Sequence, residues 1–104
     1  AWEAQAQRLK ELQQLVERGG GSFAAVTFPF FQALGAAYAW DGVHQQLAAL
    51  WHQQNVKHLD LHPVYGKLKP HDLMVNSLDA HPNELAHLMA ADAILKFLNE
   101  GAKP

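Results

Sequence analysis

From Trp2 to Arg18 the apolar residues Trp2, Leu9, Leu12, Leu15 and Val16 recur at three- and four-residue intervals among Glu, Gln, Lys and Arg. That spacing gathers apolar side chains on one stripe of a helix and predicts a surface helix. Gly19-Gly20-Gly21 ends it, because glycine readily takes the left-handed conformation that closes a helix. Phe23 to Phe28 is a short apolar run without alternation, bounded by the glycines and Pro29. It predicts a strand covered on both faces, the pattern of a central parallel strand. Phe30 to Tyr38 mixes aromatics with Gly35 and alanines and reads as a loop containing a helical turn. Asp41 then caps a helix in which Val43, Leu47, Leu50 and Trp51 share a face, and Val56 to Leu61 follows as a second strand. Strand, helix, strand in this order predicts a right-handed parallel crossover. Past His62-Pro63 comes a stretch of about twenty residues rich in Pro, Gly, His, Lys and Asp, too polar for a core element and long enough to be functional. A final helix is expected from about Pro82 to Asn99, apolar at Leu85, Leu88, Met89, Ile94, Leu95 and Leu98, and ended by Gly101.

The predicted class is therefore α/β with a parallel sheet, in the order α-β-α-β-loop-α. Two strands leave both sheet edges unpaired and little core between layers, so further strands are expected from a preceding half of the same domain or from another copy. A length of 104 residues, 49% hydrophobic and 17% charged, suits one small domain or a portion of one. The opening at alanine is compatible with methionine removal or with excision from something longer. Ten carboxylates against eight scattered Lys and Arg give a net charge of −2, leaving no basic face to neutralise phosphates, so nucleic acid is not an expected partner. No apolar stretch approaches the roughly 20 residues that span a bilayer. With no cysteine, disulfides, thiolate catalysis and Cys-ligated zinc are excluded, and the compartment stays open.

One block carries chemistry. Asp79-Ala80-His81-Pro82-Asn83-Glu84-Leu85-Ala86-His87, followed by the amphipathic Ala90 to Leu98, resembles the last sequence block of the SGNH hydrolases, the GDSL lipase/esterase family. In that family a catalytic histidine immediately precedes Pro-Asn at the start of the last helix, and His81 matches that position. The upstream order of strand, helix, strand and loop is similar to the second half of the family's flavodoxin-like, three-layer sheet. The resemblance implies that residues 1–104 are the C-terminal portion of one catalytic domain. It implies a serine ester hydrolase acting without a cofactor on a small-molecule or carbohydrate ester, such as an acetyl or short acyl ester. The family's Gly-Asp-Ser nucleophile block and its Gly-x-Asn-Asp block do not occur here, and Ser22 and Ser77 are the only serines. The family usually places the orienting aspartate three residues before the histidine. Leu78 stands there, and Asp79 stands two before, so Asp79 is the first candidate and Asp72 the second.

A serine hydroxyl is a poor nucleophile until a neighbouring base removes its proton, and imidazole steadied by a carboxylate suits that task at neutral pH. Other readings compete for the same residues. His87 is expected inside the final helix as a packing or surface residue. His58, His62, His71 and His81 invite a metal reading, but a zinc site needs three or four converging ligands, and solvated histidines are the plainer expectation. Ser77 is expected as a turn residue after Asn76. Ser22 follows the glycines before a strand, where a helix-ending turn is expected instead of a phosphate loop. Trp2, Trp40 and Trp51 are expected as core or interface aromatics. A further alternative is a non-catalytic α/β module that pairs its sheet edges with a partner or with a second copy of itself.

Overall fold

The computed structural model describes residues 1–35 and 37–100 of the chain. Helix α1 spans Trp2–Arg18, strand β1 Ala24–Thr27, helix α2 Asp41–Gln53 and strand β2 Lys57–Asp60. Two single-turn helices follow, α3 at His62–Tyr65 and α4 at Pro70–Leu73; then come strands β3, Met74–Asn76, and β4, Asp79–Pro82, and helix α5, Glu84–Glu100. The expected α/β character is present as a two-stranded parallel sheet, with Ala24 to Thr27 in register with Lys57 to Asp60.

Both helix-to-strand turns are built alike. After α1 the amide of Gly20 donates to the Glu17 carbonyl and that of Gly21 to the Val16 carbonyl, with Gly20 at φ 86°. After α2 the amides of Asn55 and Val56 donate to the carbonyls of His52 and Trp51, with Asn55 at φ 57°. This paired closure satisfies two orphan carbonyls and requires a residue that tolerates the left-handed region, which glycine and asparagine do.

Side chains alternate across the sheet. Ala25 packs with Ala6, Leu50, Trp51 and Val56 beneath α1 and α2, whereas Val26 and Leu59 pack with Leu61, Tyr65, Leu73, Ala86 and Ala90 beneath α5. The sheet thus lies between helices, but with one neighbour each the two strands are only half-buried, and Ala24 and Lys57 are exposed.

Several expectations are corrected. The polar stretch after His62 is not one loop: it forms α3, α4 and the β3-β4 hairpin, so His81 and Pro82 lie on a strand and α5 begins only at Glu84. Asp41 does not occupy the cap position of α2; Trp40 does, and Asp41 sits in the first turn. The buried face of α5 is Ala86, Ala90 and Phe97 with Met89, Ala93 and Ile94, while the expected core residues Leu85, Leu88, Leu95 and Leu98 are exposed. In α1, Ala6 and Gln13 are buried, and Leu12 and Leu15 are exposed. Both helices carry apolar residues on two faces, and the described residues cover only one of them. Of the three tryptophans, Trp51 is buried, Trp2 packs at the edge of its cluster, and Trp40 is exposed with its ring 5.1 Å from that of Phe30. The helix-ending role expected of Gly101 lies outside the described residues.

Candidate active site

The hairpin places His81 by an irregularity in its pairing. Met74 faces Pro82 and Asn76 faces Asp79, so Ala80 and His81 together oppose the single residue Val75. Such a bulge bends its strand and re-aims the side chains on it. Asn83 locks the base of the hairpin to the final helix. Its side-chain amide donates to the carbonyls of Asp72 and Met74, its side-chain oxygen accepts from the Ala86 amide, and its own amide donates to the Leu73 carbonyl. It is the N-cap of α5 and the clasp between α4 and β3.

Asp79 and His81 form a pair. Asp79 Oδ1 accepts from the His81 amide at 3.0 Å and from His81 Nδ1 at 2.5 Å. These two bonds, the backbone one foremost, hold the Asp79 carboxyl below the usual carboxylate range. A carboxylate can only accept, so in the neutral imidazole Nδ1 carries the proton and Nε2 presents its lone pair. Among the described residues Nε2 of His81 has no hydrogen-bond partner, and the ring is exposed. Asp72, the second candidate acid, lies elsewhere: it accepts from the Lys69 amide and stands 3.2 Å from His71.

The pair opens onto a cleft of about 740 Å³. One wall is the segment after β1, Phe28 to Gln32; the other is the hairpin from Leu78 to Pro82; His87 of α5 completes it. Phe28, Phe30 and Leu78 are exposed there, giving an apolar cleft with a histidine-carboxylate pair on its rim. His87, expected to have no part, therefore borders the cleft. No serine or threonine hydroxyl among the described residues bonds to His81. Ser77 lies in the hairpin turn, where Asn76 Oδ1 accepts from the Leu78 amide, and Thr27 Oγ1 is 2.8 Å from His58 Nε2 on the sheet. Burial pushes the His58 imidazole below its ordinary value, the nearby Asp60 opposing this. Among the described residues no three histidine or acidic side chains converge on a point that could hold a metal ion.

A second polar group, with Tyr38 and His44 buried and Asp60 half-buried, escaped the sequence reading. His44 Nδ1 is 2.9 Å from both oxygens of Asp60, His44 Nε2 is 2.8 Å from the Tyr38 hydroxyl, and that hydroxyl accepts from the Phe30 amide at 2.9 Å. Its sequence signal was a histidine at position 44, three before Leu47 and seven before Trp51, on the face turned to the core. Comparison with family models, with curated proteins and with solved structures returns no match for this chain.

Proposed function

We propose that these residues supply the acid-base part of an SGNH-type serine ester hydrolase, with the nucleophilic serine contributed from outside residues 1–104. His81 would be the general base and Asp79 its orienting acid, within a domain completed to the family's three-layer, flavodoxin-like sheet. The observation that carries the reading is the Asp79-His81 pair, with one imidazole nitrogen engaged by the carboxylate and the other unpartnered at an apolar cleft. In the reaction, Nε2 of His81 takes the serine proton as the hydroxyl oxygen bonds to the ester carbon. The imidazolium then returns that proton to the departing alkoxide as the ester C–O bond breaks. Water, deprotonated by the same nitrogen, cleaves the acyl-serine and restores the enzyme. Asp79 steadies the imidazolium throughout.

The chain can be tested without its serine, because imidazole attacks activated esters directly. Nε2 displaces 4-nitrophenolate, and water hydrolyses the acyl-imidazole. Release of 4-nitrophenol from 4-nitrophenyl butyrate is expected to saturate and to fall to the rate of free histidine in His81→Ala. Equal rates for the two proteins would remove the reading. A fluorophosphonate is expected to leave the chain's mass unchanged, whereas a labelled Ser22 or Ser77 would identify an internal nucleophile and overturn the half-site. In the completed enzyme His81→Ala should lower kcat by several orders of magnitude, the scale of losing a triad member.

A second reading, a non-catalytic module that pairs its edges, is favoured by the two open strands of the parallel sheet and by the exposed leucines of α1 and α5. It expects a well-defined oligomer in light scattering and no His81-dependent ester cleavage.

A further inference from the structure

The cleft wall from Phe28 to Gln32 is anchored at two points, the buried Pro29 and Phe31. It follows the end of β1, leads into a 3₁₀ turn at Phe31–Ala33, and carries the exposed rings of Phe28 and Phe30. Phe31 is anchored in the core, edge-on to Tyr65 with ring centroids 5.0 Å apart. Phe30 is not buried, and its amide donates to the Tyr38 hydroxyl. That hydroxyl is the end of a directed chain. The Asp60 carboxylate can only accept, so in the neutral imidazole His44 has its proton on Nδ1; His44 Nε2 then accepts, so Tyr38 donates its hydroxyl proton to it, and the free lone pairs of the hydroxyl face the Phe30 amide. One arrangement of protons satisfies every member, and links of this kind polarise and strengthen one another. Asp60 is fixed in turn by the His62 amide, which donates to Oδ1 at 2.9 Å, and the Tyr38 ring lies against that of His62 with centroids 4.1 Å apart. Tyr38 and His44 are themselves buried.

We infer that Tyr38 and His44 are positioning residues for the cleft. They transmit the rigid placement of Asp60, at the end of β2, to the backbone of Phe30, and so hold the wall that faces His81 in the shape that receives the acyl part of an ester. The inference rests on the acid-base reading of His81. Neither residue lines the cleft, so neither touches the reacting atoms.

The test uses the intact chain and 4-nitrophenyl butyrate. Tyr38→Phe keeps the ring and its contact with His62 and removes only the hydroxyl. It is expected to raise KM roughly fivefold with kcat within about twofold, the signature of lost binding without lost chemistry. Hydrogen exchange at the Phe30 amide should quicken by about tenfold or more as its acceptor disappears. His44→Gln offers a donor to Asp60 and an acceptor to Tyr38 and should restore KM toward wild type, whereas His44→Leu should not. A purely structural role would lower the melting temperature in these variants and leave KM alone. If cleavage depends on His81 but the folded Tyr38→Phe protein keeps its KM, the positioning role is overturned and the acid-base reading stands. If wild-type cleavage does not depend on His81, both fall.

Discussion

Asp79 takes two hydrogen bonds from one neighbour, the amide and the ring of His81, and this makes a spacing of two residues workable where the family resemblance led one to expect three. The amide bond closes a turn that points the carboxylate back at its own imidazole. Asp79→Asn removes the charge that selects the Nδ1–H tautomer, so under the proposed acid-base reading His81-dependent ester cleavage should fall by about tenfold or more. Kinetics across pH 6 to 9 with the two proteins check this. The lowered carboxyl of Asp79 favours the folded state above the unfolded carboxylate value and loses that contribution as pH falls through the folded value; the group is exposed, so the effect on stability is small. His58 is the better pH reporter. Its folded value lies below the unfolded value of 6.5 because burial disfavours the charged form. Above that pH both states are neutral, and as pH drops through it the unfolded chain gains a proton that the folded chain refuses. The melting temperature should therefore decline from pH 7.5 to pH 5.5, and His58→Gln should make that decline shallower; parallel declines in thermal melts would contradict this. His81 as the candidate base was legible from its Pro-Asn context. His87 at the cleft was not, because a helix pattern alone does not say which turn borders a hairpin folded back in space.

At the scale of elements, the Asn83 side chain joins three of them, capping α5 and accepting no substitute that lacks both an amide donor and an oxygen. Asn83→Ala loses the cap and the bonds to Asp72 and Met74, at a cost of about 2 kcal/mol. In a domain of this size that lowers the melting temperature by roughly 10 °C, measurable by circular dichroism. The Asn of the His-Pro-Asn motif is thus explained by architecture, since it sets where the histidine strand stops and the helix starts. Asn55, in the left-handed region after α2, should cost about 1 kcal/mol on replacement by alanine and little on replacement by glycine. Helices α1, α2 and α5 were all readable from three- and four-residue periodicity, β1 from a short apolar run between turn residues, and β2 from its place after α2. The hairpin was not, because β3 and β4 are brief and irregularly paired, and a bulge erases the alternation by which a strand is recognised.

For the whole molecule, the apolar surface is greater than the described fold can cover. Leu12 and Leu15 of α1 and Leu88, Leu95 and Leu98 of α5 are exposed, and among the described residues the two parallel strands each have one free edge. Such surfaces drive association. Light scattering is expected to give a mass above that of one chain that rises with concentration, and Leu88→Lys with Leu95→Lys should reduce it; a monomer at every concentration would show that these faces are tolerated in water. No helix among the described residues is long and apolar enough to cross a membrane. What the sequence by itself determined is whatever depends on near neighbours: the glycine stop after α1, the helical stripes, the strand-helix-strand order, and a histidine set two residues after an aspartate and before Pro-Asn. Local torsions and short-range hydrogen bonds act over a few positions and leave their mark there. Only the tertiary structure decided which face of α1 and α5 is buried, since both helices present two apolar faces and burial depends on what packs against them. It alone brought Phe28 and Phe30 opposite Leu78 and His81, and linked Asp60 to Phe30 through His44 and Tyr38, because contacts between residues far apart along the chain depend on how the elements pack and are absent from any local pattern.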